Sequence, residues 1–352
     1  MKIILNLVIV GAILLIFGSD HSVLAACTIM GATGTATLGR RVFLASTSDN
    51  PYLEGPRKPV VVTIPKDGGY KFVHTPCLIK DPSGELVDIG SDRGMNETGF
   101  SWTRAWVVPK EGENPEKLHA VDWFLKMGAT VSTVDEAITF VKENPKGFGT
   151  QGNYLFADRN GNMAVVEVGY KTVTVAETFT SKDLGIAARA NRWETDPMVP
   201  LDDSKRGNTI HFDTSEFRYH RAMSLLKENA SQIDVETMKK LISDRTPDPR
   251  APHEKSISNH GLQSGTVSTE IYDPQNLTFW YTYGWPDGEV DNVDSAIFGE
   301  NKNTWGRWIP FVLTELEEEG YYTDWAGNIT PIGARYLGRK IGNNESALFF
   351  KK

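Results

Sequence analysis

The 352-residue chain has only two cysteines, Cys27 and Cys77, and its seven histidines are scattered. That is too few thiolate and imidazole ligands for a structural zinc site, which gathers four of them at close spacing. The sequence also lacks a Gly-x-Ser-x-Gly elbow, a His-Glu-x-x-His motif and a Gly-x4-Gly-Lys-Ser/Thr loop. These absences exclude the serine-elbow hydrolases, the zincins and the P-loop nucleotide enzymes. Gly31, Gly34 and Gly39 lie in a strand-turn-strand stretch rather than between a strand and a helix, so they form no phosphate cradle. There is no Lys/Arg cluster, and 37 basic residues against 45 acidic ones leave a net charge of −8. Phosphate binding is dominated by basic side chains, so a nucleic-acid partner is not expected.

Long apolar runs are equally scarce. The one present covers residues 3–17, is broken only by Asn6, follows Lys2 and precedes a polar stretch from Gly18 to Ser22. A charged start, an apolar middle and small residues at Ala25-Ala26 are the three parts of a secretory signal peptide. The run is short of the roughly 20 residues a membrane span needs. The expectation is a leader over 1–26 and a mature chain over 27–352, secreted, periplasmic or extracellular, with no stable membrane span after processing. Leu24 is a poor residue three places before the cut, and cleavage after Ala25 with Val23 at that place would leave Ala26 for later trimming.

What is present is a mixture of short β runs and amphipathic helices. Thr28-Ile-Met and Val42-Phe-Leu-Ala-Ser-Thr-Ser flank a Gly-rich turn, and further β runs occur at Val60–Ile64, Tyr70–His74 and the stretch through Trp106-Val-Val. Residues Glu116 to Met127 place Leu118, Val121, Phe124 and Leu125 at helical spacing, and Thr133 with Glu136 forms a capping box for a second helix. Asn160-Gly161 marks a tight hairpin turn between two β runs, and strands are expected at 172–175 and 186–190. Helices are expected at 215–226, 235–241, 304–319 and 331–339, with strands returning at 265–272 and 277–282. Strands, helices, then both again fit a layered α+β domain better than a βαβ alternation. No repeat, long linker or low-complexity tract divides it, so a single domain is expected.

Position singles out Cys27. Once a leader ending at Ala26 is removed, this residue carries a thiol and a free α-amine. The amine, with a reference pKa near 8, can take the thiol proton, so one residue supplies nucleophile and base. In an oxidising compartment Cys27 can instead pair with Cys77, which would consume the nucleophile.

Cys27-Thr, the hairpin ending Ala45-Ser-Thr-Ser-Asp49-Asn50, Gly94-Met-Asn96-Glu-Thr-Gly99, Asn153-Tyr-Leu-Phe-Ala-Asp158, Ala190-Asn191 and Ser215-Glu-Phe-Arg-Tyr-His-Arg221 resemble the N-terminal-nucleophile hydrolases. Within them the chain is most similar to the acyl-coenzyme A:6-aminopenicillanate acyltransferase relatives, with choloylglycine hydrolases and penicillin V acylases as cousins. The resemblance implies a four-layer αββα sandwich. It also implies cleavage or transfer at linear amide bonds of a small-molecule N-acyl substrate through a Cys27 thioester, with no cofactor or metal; a homo-oligomer is left open. By the same resemblance Asp49 would hold the Cys27 amine, Asn191 would aim its amide at the oxyanion, and Arg221 would order the site. The segment after Asn96, together with Trp106, would lie on the substrate and oxyanion side. One departure is Ser46, which stands where the bile-salt and penicillin V members carry an arginine three residues before the aspartate.

Two other readings remain at this point. A cysteine dipeptidase of the same superfamily would share the hairpin aspartate. Leu24-Ala25-Ala26-Cys27 also reads as a lipoprotein box, in which Cys27 is lipidated and the protein is a membrane-tethered binding module with Trp102, Trp106, Trp280 and Trp285 in a ligand groove or in the core.

Overall fold

The computed structural model describes residues 27–51, 58–80, 86–88, 90–113, 116–203, 210–249, 256–259, 264–284, 286, 306–325 and 327–339; the leader expected over 1–26 lies outside them. In chain order the strands are β1 (Thr28–Gly34), β2 (Val42–Pro51), β3 (Val61–Thr63), β4 (Phe72–His74), β5 (Leu78–Lys80), β6 (Leu86–Asp88), β7 (Arg93–Asn96) and β8 (Ser101–Ala105). They continue as β9 (Gly152–Ala157), β10 (Met163–Val168), β11 (Val173–Phe179), β12 (Leu184–Arg189), β13 (Ser264–Asp273), β14 (Thr278–Tyr283), β15 (Ile309–Val312) and β16 (Gly320–Tyr321). The helices are α1 (Ala120–Thr130), α2 (Val134–Glu143), α3 (Ile210–Glu228) and α4 (Val235–Ile242), and residues 331–339 are also helical.

Among the described residues, a six-stranded sheet runs β12-β1-β2-β13-β14-β15 and an eight-stranded sheet runs β11-β10-β9-β8-β7-β4-β3-β16, with β5 and β6 as a separate hairpin. The pairing throughout is antiparallel. Side chains alternate across a strand, and here both faces are apolar. On β1 and β2, Ile29, Val42 and Leu44 enter a core shared with Val62, Met95, Leu155 and Val165 of the other sheet. Met30, Ala32, Phe43 and Ala45 turn the opposite way, toward Ala222, Leu226, Met238 and Leu241 of α3 and α4. On the far side of the eight-stranded sheet, Tyr154, Phe156 and Val166 meet Trp123, Phe124 and Phe140 of α1 and α2. Three apolar cores therefore separate four layers, and the architecture is the αββα sandwich that the resemblance implied.

The capping box starts α2: Thr133 Oγ1 accepts from the Glu136 N–H and Glu136 Oε2 accepts from the Thr133 N–H, each at 3.2 Å. Where the helix expected over 304–319 falls on described residues, a strand forms instead, followed by a single 3-10 turn at Leu313–Glu315. Ile309 and Phe311 alternate into the inter-sheet core as part of edge strand β15, and Pro310, lacking an N–H, is compatible with an edge. The tryptophans also separate. Trp102 is fully buried under the helices of the eight-stranded sheet, while Trp280 lies on the helix side of the other sheet with Lys239 Nζ 3.8 Å from its ring centroid. Trp285 is outside the described residues. No helix among the described residues is long and apolar enough to cross a membrane.

Candidate active site

Cys27 sits one residue before β1, buried at 3% exposure. Thr28 pairs with Thr47, so one step further along this ladder brings Cys27 opposite Ser48. Alternation then sends its side chain into the inter-sheet core, where it clusters with Ile29 and Leu44. Cys27 and Cys77 are both free thiols, and Cys77 belongs to a different cluster, beside Ala120, Trp106 and Phe148. Burial pushes the Cys77 thiol up to about 11.

The main chain of Cys27 is gripped from two distant parts of the sequence. Its nitrogen donates to Asn191 Oδ1 at 2.7 Å, and its carbonyl oxygen accepts from Arg218 Nη1. Arg218 also donates to Thr28 Oγ1 at 2.9 Å, to Asn191 Oδ1 at 3.0 Å and to Ser215 Oγ at 3.2 Å. A guanidinium only donates, so its bond to Asn191 fixes which amide atom is oxygen. Asn191 Nδ2 then donates to the Trp106 carbonyl at 2.9 Å. Asn191 thus holds the Cys27 nitrogen through its oxygen, whereas the sequence had suggested an amide aimed at an oxyanion. Trp106 enters through its backbone, while its ring stacks edge-on with Phe148.

Asp49 lies on the opposite face of β2 from Ser48, toward α3. Its Oδ1 accepts from the Thr266 hydroxyl at 2.6 Å, and its charge resists the downward pull of burial on the Arg218 guanidinium. Arg218, bonded to the Cys27 carbonyl, is thus within electrostatic reach of Asp49.

Two expected residues fall elsewhere. Arg221 pairs with Asp244 at 2.7 and 3.1 Å and reaches Thr246; its side chain is 29% exposed. The arginine that reaches Cys27 is Arg218, three residues earlier in the same Ser215–Arg221 stretch. Asn96 is a hairpin and helix-end residue. Its Nδ2 donates to the carbonyls of Gly128 (3.0 Å) and Val131 (2.6 Å), and its Oδ1 accepts from Thr98 and Phe100. The N–H groups of residues 96 to 100 all bond within this turn or to Lys71, so the segment has no donor for an oxyanion. Alternation explains the difference: Met95 faces the inter-sheet core, and Asn96 faces α1.

Asn153 opens one of the quoted motifs without having been given a role there, and Arg93 had no motif. Asn153 Nδ2 donates to the carbonyls of Ala190 and Arg192, both at 2.7 Å, and so clamps the turn that carries Asn191. Arg93, entering from β7, donates through Nε to Ser46 Oγ at 3.2 Å and through Nη2 to the Thr47 carbonyl at 3.0 Å. Its Nε lies 3.3 Å from Glu270 and its Nη1 2.8 Å from Asp92. Burial disfavours its charge, yet the carboxylates of Asp92 and Glu270 hold its pKa well above the usual arginine value. Asp92, bonded also to Lys58 (2.7 Å) and Arg104 (3.3 Å), is kept ionised against burial by the three cations.

Comparisons with known proteins bear on the family and the fold. The family model described as acyl-coenzyme A:6-aminopenicillanic acid acyl-transferase matches residues 60–287. No curated protein matches the chain. Among solved structures, a mutant of the conjugated bile acid hydrolase from Clostridium perfringens is similar with a TM-score of 0.51 and 12% identity, over 86% of this chain and 97% of that one. Penicillin V acylase from Agrobacterium tumefaciens gives 0.46 and 14%, over 73% and 83%. The family match spans well over half of the chain, and the protein belongs to the acyl-coenzyme A:6-aminopenicillanic acid acyl-transferase family, built on the fold of the N-terminal-nucleophile hydrolases.

Proposed function

We propose that the protein is an exported hydrolase or acyltransferase of linear amide bonds in which Cys27, exposed as the first residue by loss of the leader, is the nucleophile. The observation that carries this reading is the double hold on the Cys27 main chain by Asn191 and Arg218. Both grip backbone atoms and leave the sulfur for chemistry. With the nitrogen freed as an amine, the thiol proton passes to it and the sulfur attacks the substrate carbonyl. The ammonium then returns its proton to the departing amine, leaving a thioester. Water completes hydrolysis, or a second amine completes transfer. Asn191 fixes the nitrogen that carries the proton, and Arg218, balanced by Asp49, fixes the carbonyl end of the same residue.

The family match favours this reading over a lipid anchor. A membrane-tethered binding module has no use for the acyl-transferase family's chain from residue 60 to 287, which this protein shares. The family relationship favours an N-acyl amide substrate.

The test joins intact-mass analysis of the mature chain with turnover of a panel of N-acyl amides. A chain starting at an unmodified Cys27 is expected, with Cys27→Ser folded but slowed by at least about 100-fold, the lower end of what a positioned proton-transfer group contributes. Undiminished turnover in Cys27→Ser, or a blocked Cys27 nitrogen in active material, overturns the reading.

A further inference from the structure

The group of charges behind Cys27 is unbalanced. Among the described residues, Lys58, Arg93 and Arg104 make ion pairs with Asp92 and Glu270, three cations against two carboxylates. All five side chains are buried. Buried charge is costly unless it is compensated, and the nearby tyrosine and thiol supply no anion, since burial pushes both Tyr272 and Cys77 up. Among the described residues Cys27, on the same face, is a nearby group able to become negative, while the charge of Asp49 acts on Arg218 from the other face of β2.

Position agrees with the charge count. Arg93 and Met95 lie on the face of β7 that looks into the space between the sheets, as Cys27 does from the other side. Arg93 Nε is bonded to Ser46 Oγ. Ser46 pairs with Ile29, which makes it the diagonal neighbour of Cys27 on the same face, at the roughly 7–8 Å such neighbours keep. The main-chain bonds to Thr47 and Arg104 and the ion pair with Asp92 hold the guanidinium there.

We infer that Arg93 is a positioning residue for the Cys27 reaction: its charge, delivered from the eight-stranded sheet, offsets the negative charge that the Cys27 sulfur acquires when its proton moves to the Cys27 nitrogen. The S–H bond breaks, an N–H bond forms, and no other reactant takes part. Glu270, on the same face and bonded to both Ser46 and Arg93, works against this and sets how much of the charge is felt. One of its carboxylate oxygens, Oε1, is buried with no hydrogen-bond partner, so that oxygen's charge is not spent on a nearby donor.

This inference rests on the nucleophile reading above, and its test reads the sulfur directly. Mature wild type, Arg93→Met, Arg93→Lys and Glu270→Gln are treated with iodoacetamide across about pH 5 to 9, and modification of the Cys27 peptide is followed by mass spectrometry. An opposite charge in the neighbourhood of an ionisable group typically moves it by about one pH unit or more. Arg93→Met should therefore slow Cys27 alkylation about tenfold near neutral pH and move the profile upward, with Arg93→Lys retaining most of the wild-type behaviour. Glu270→Gln should act in the opposite direction and speed alkylation, an effect that general loss of structure at this buried position would not mimic by moving the profile downward. Coincident profiles for wild type and Arg93→Met overturn the inference. If Arg93→Met does not fold, a Glu270→Gln profile that stays in place or moves upward overturns it instead. If Cys27→Ser keeps its amidase activity, the nucleophile reading fails, and the alkylation profiles still report separately on whether Arg93 controls the charge on the sulfur.

Discussion

Arg218 and Arg221 are three residues apart on α3, nearly one turn, yet only Arg218 points under the sheet. A spacing of three leaves them about 60° apart around the helix, enough to bury one guanidinium against Cys27 and to leave the other beside Asp244. Arg218 spreads its donors over a carbonyl, two hydroxyls and an amide. Lysine offers a point charge in place of this fork. Arg218→Lys should therefore lower kcat/KM by at least about tenfold, a loss of about 1.4 kcal/mol of transition-state stabilisation, whereas Arg221→Ala should stay within about twofold. Steady-state kinetics on the two variants decides between them, and equal losses would refute the assignment. The sequence offered both arginines within one quoted stretch. Choosing between them required the rotation of α3 against β1, which depends on tertiary packing.

At the scale of elements, the β7–β8 hairpin and the end of α1 are joined through Asn96. Its amide bridges two carbonyls at the helix end and its oxygen gathers the turn. Each such bond contributes about 1 kcal/mol net, and leaving the buried partners unpaired adds to the loss. Asn96→Ala should cost about 3 kcal/mol, read as a lower urea midpoint, with kcat/KM per folded molecule unchanged. A selective loss of kcat at unchanged stability would return Asn96 to the catalytic site. The α2 capping box and the Asn160-Gly161 turn could be read from the sequence because both are fixed by residues a few positions apart; Gly161 adopts φ +85°. Strand β15 could not. Its residues are compatible with either state, and pairing with β14 together with burial of Ile309 and Phe311 decided it.

At the scale of the whole molecule, burial of polar groups between the layers gives the fold a dependence on acid. His74 on β4 is enclosed, with its ring nitrogens on Ser91 Oγ and, at 2.8 Å, Thr63 Oγ1. Burial pulls its pKa from 6.5 down to about 3. The folded histidine is therefore neutral where the unfolded one takes up a proton. Its contribution to stability is complete above about pH 6.5 and is lost as the pH falls toward 3, with a slope of up to about 1.4 kcal/mol per pH unit. Urea denaturation across this window should show a shallower acid decline for His74→Gln than for wild type; parallel curves would rule out His74 as the source. The sequence by itself determined the α+β character, the family resemblance and the prominence of Cys27, because these rest on local patterning and on a residue's place in the chain. Only the tertiary structure decided what surrounds Cys27. Asn191, Arg218 and Arg93 come from three elements, and Asn191 and Arg218 lie 164 and 191 positions from Cys27. Their convergence follows from sheet register, strand alternation and helix rotation, which no short stretch of sequence encodes.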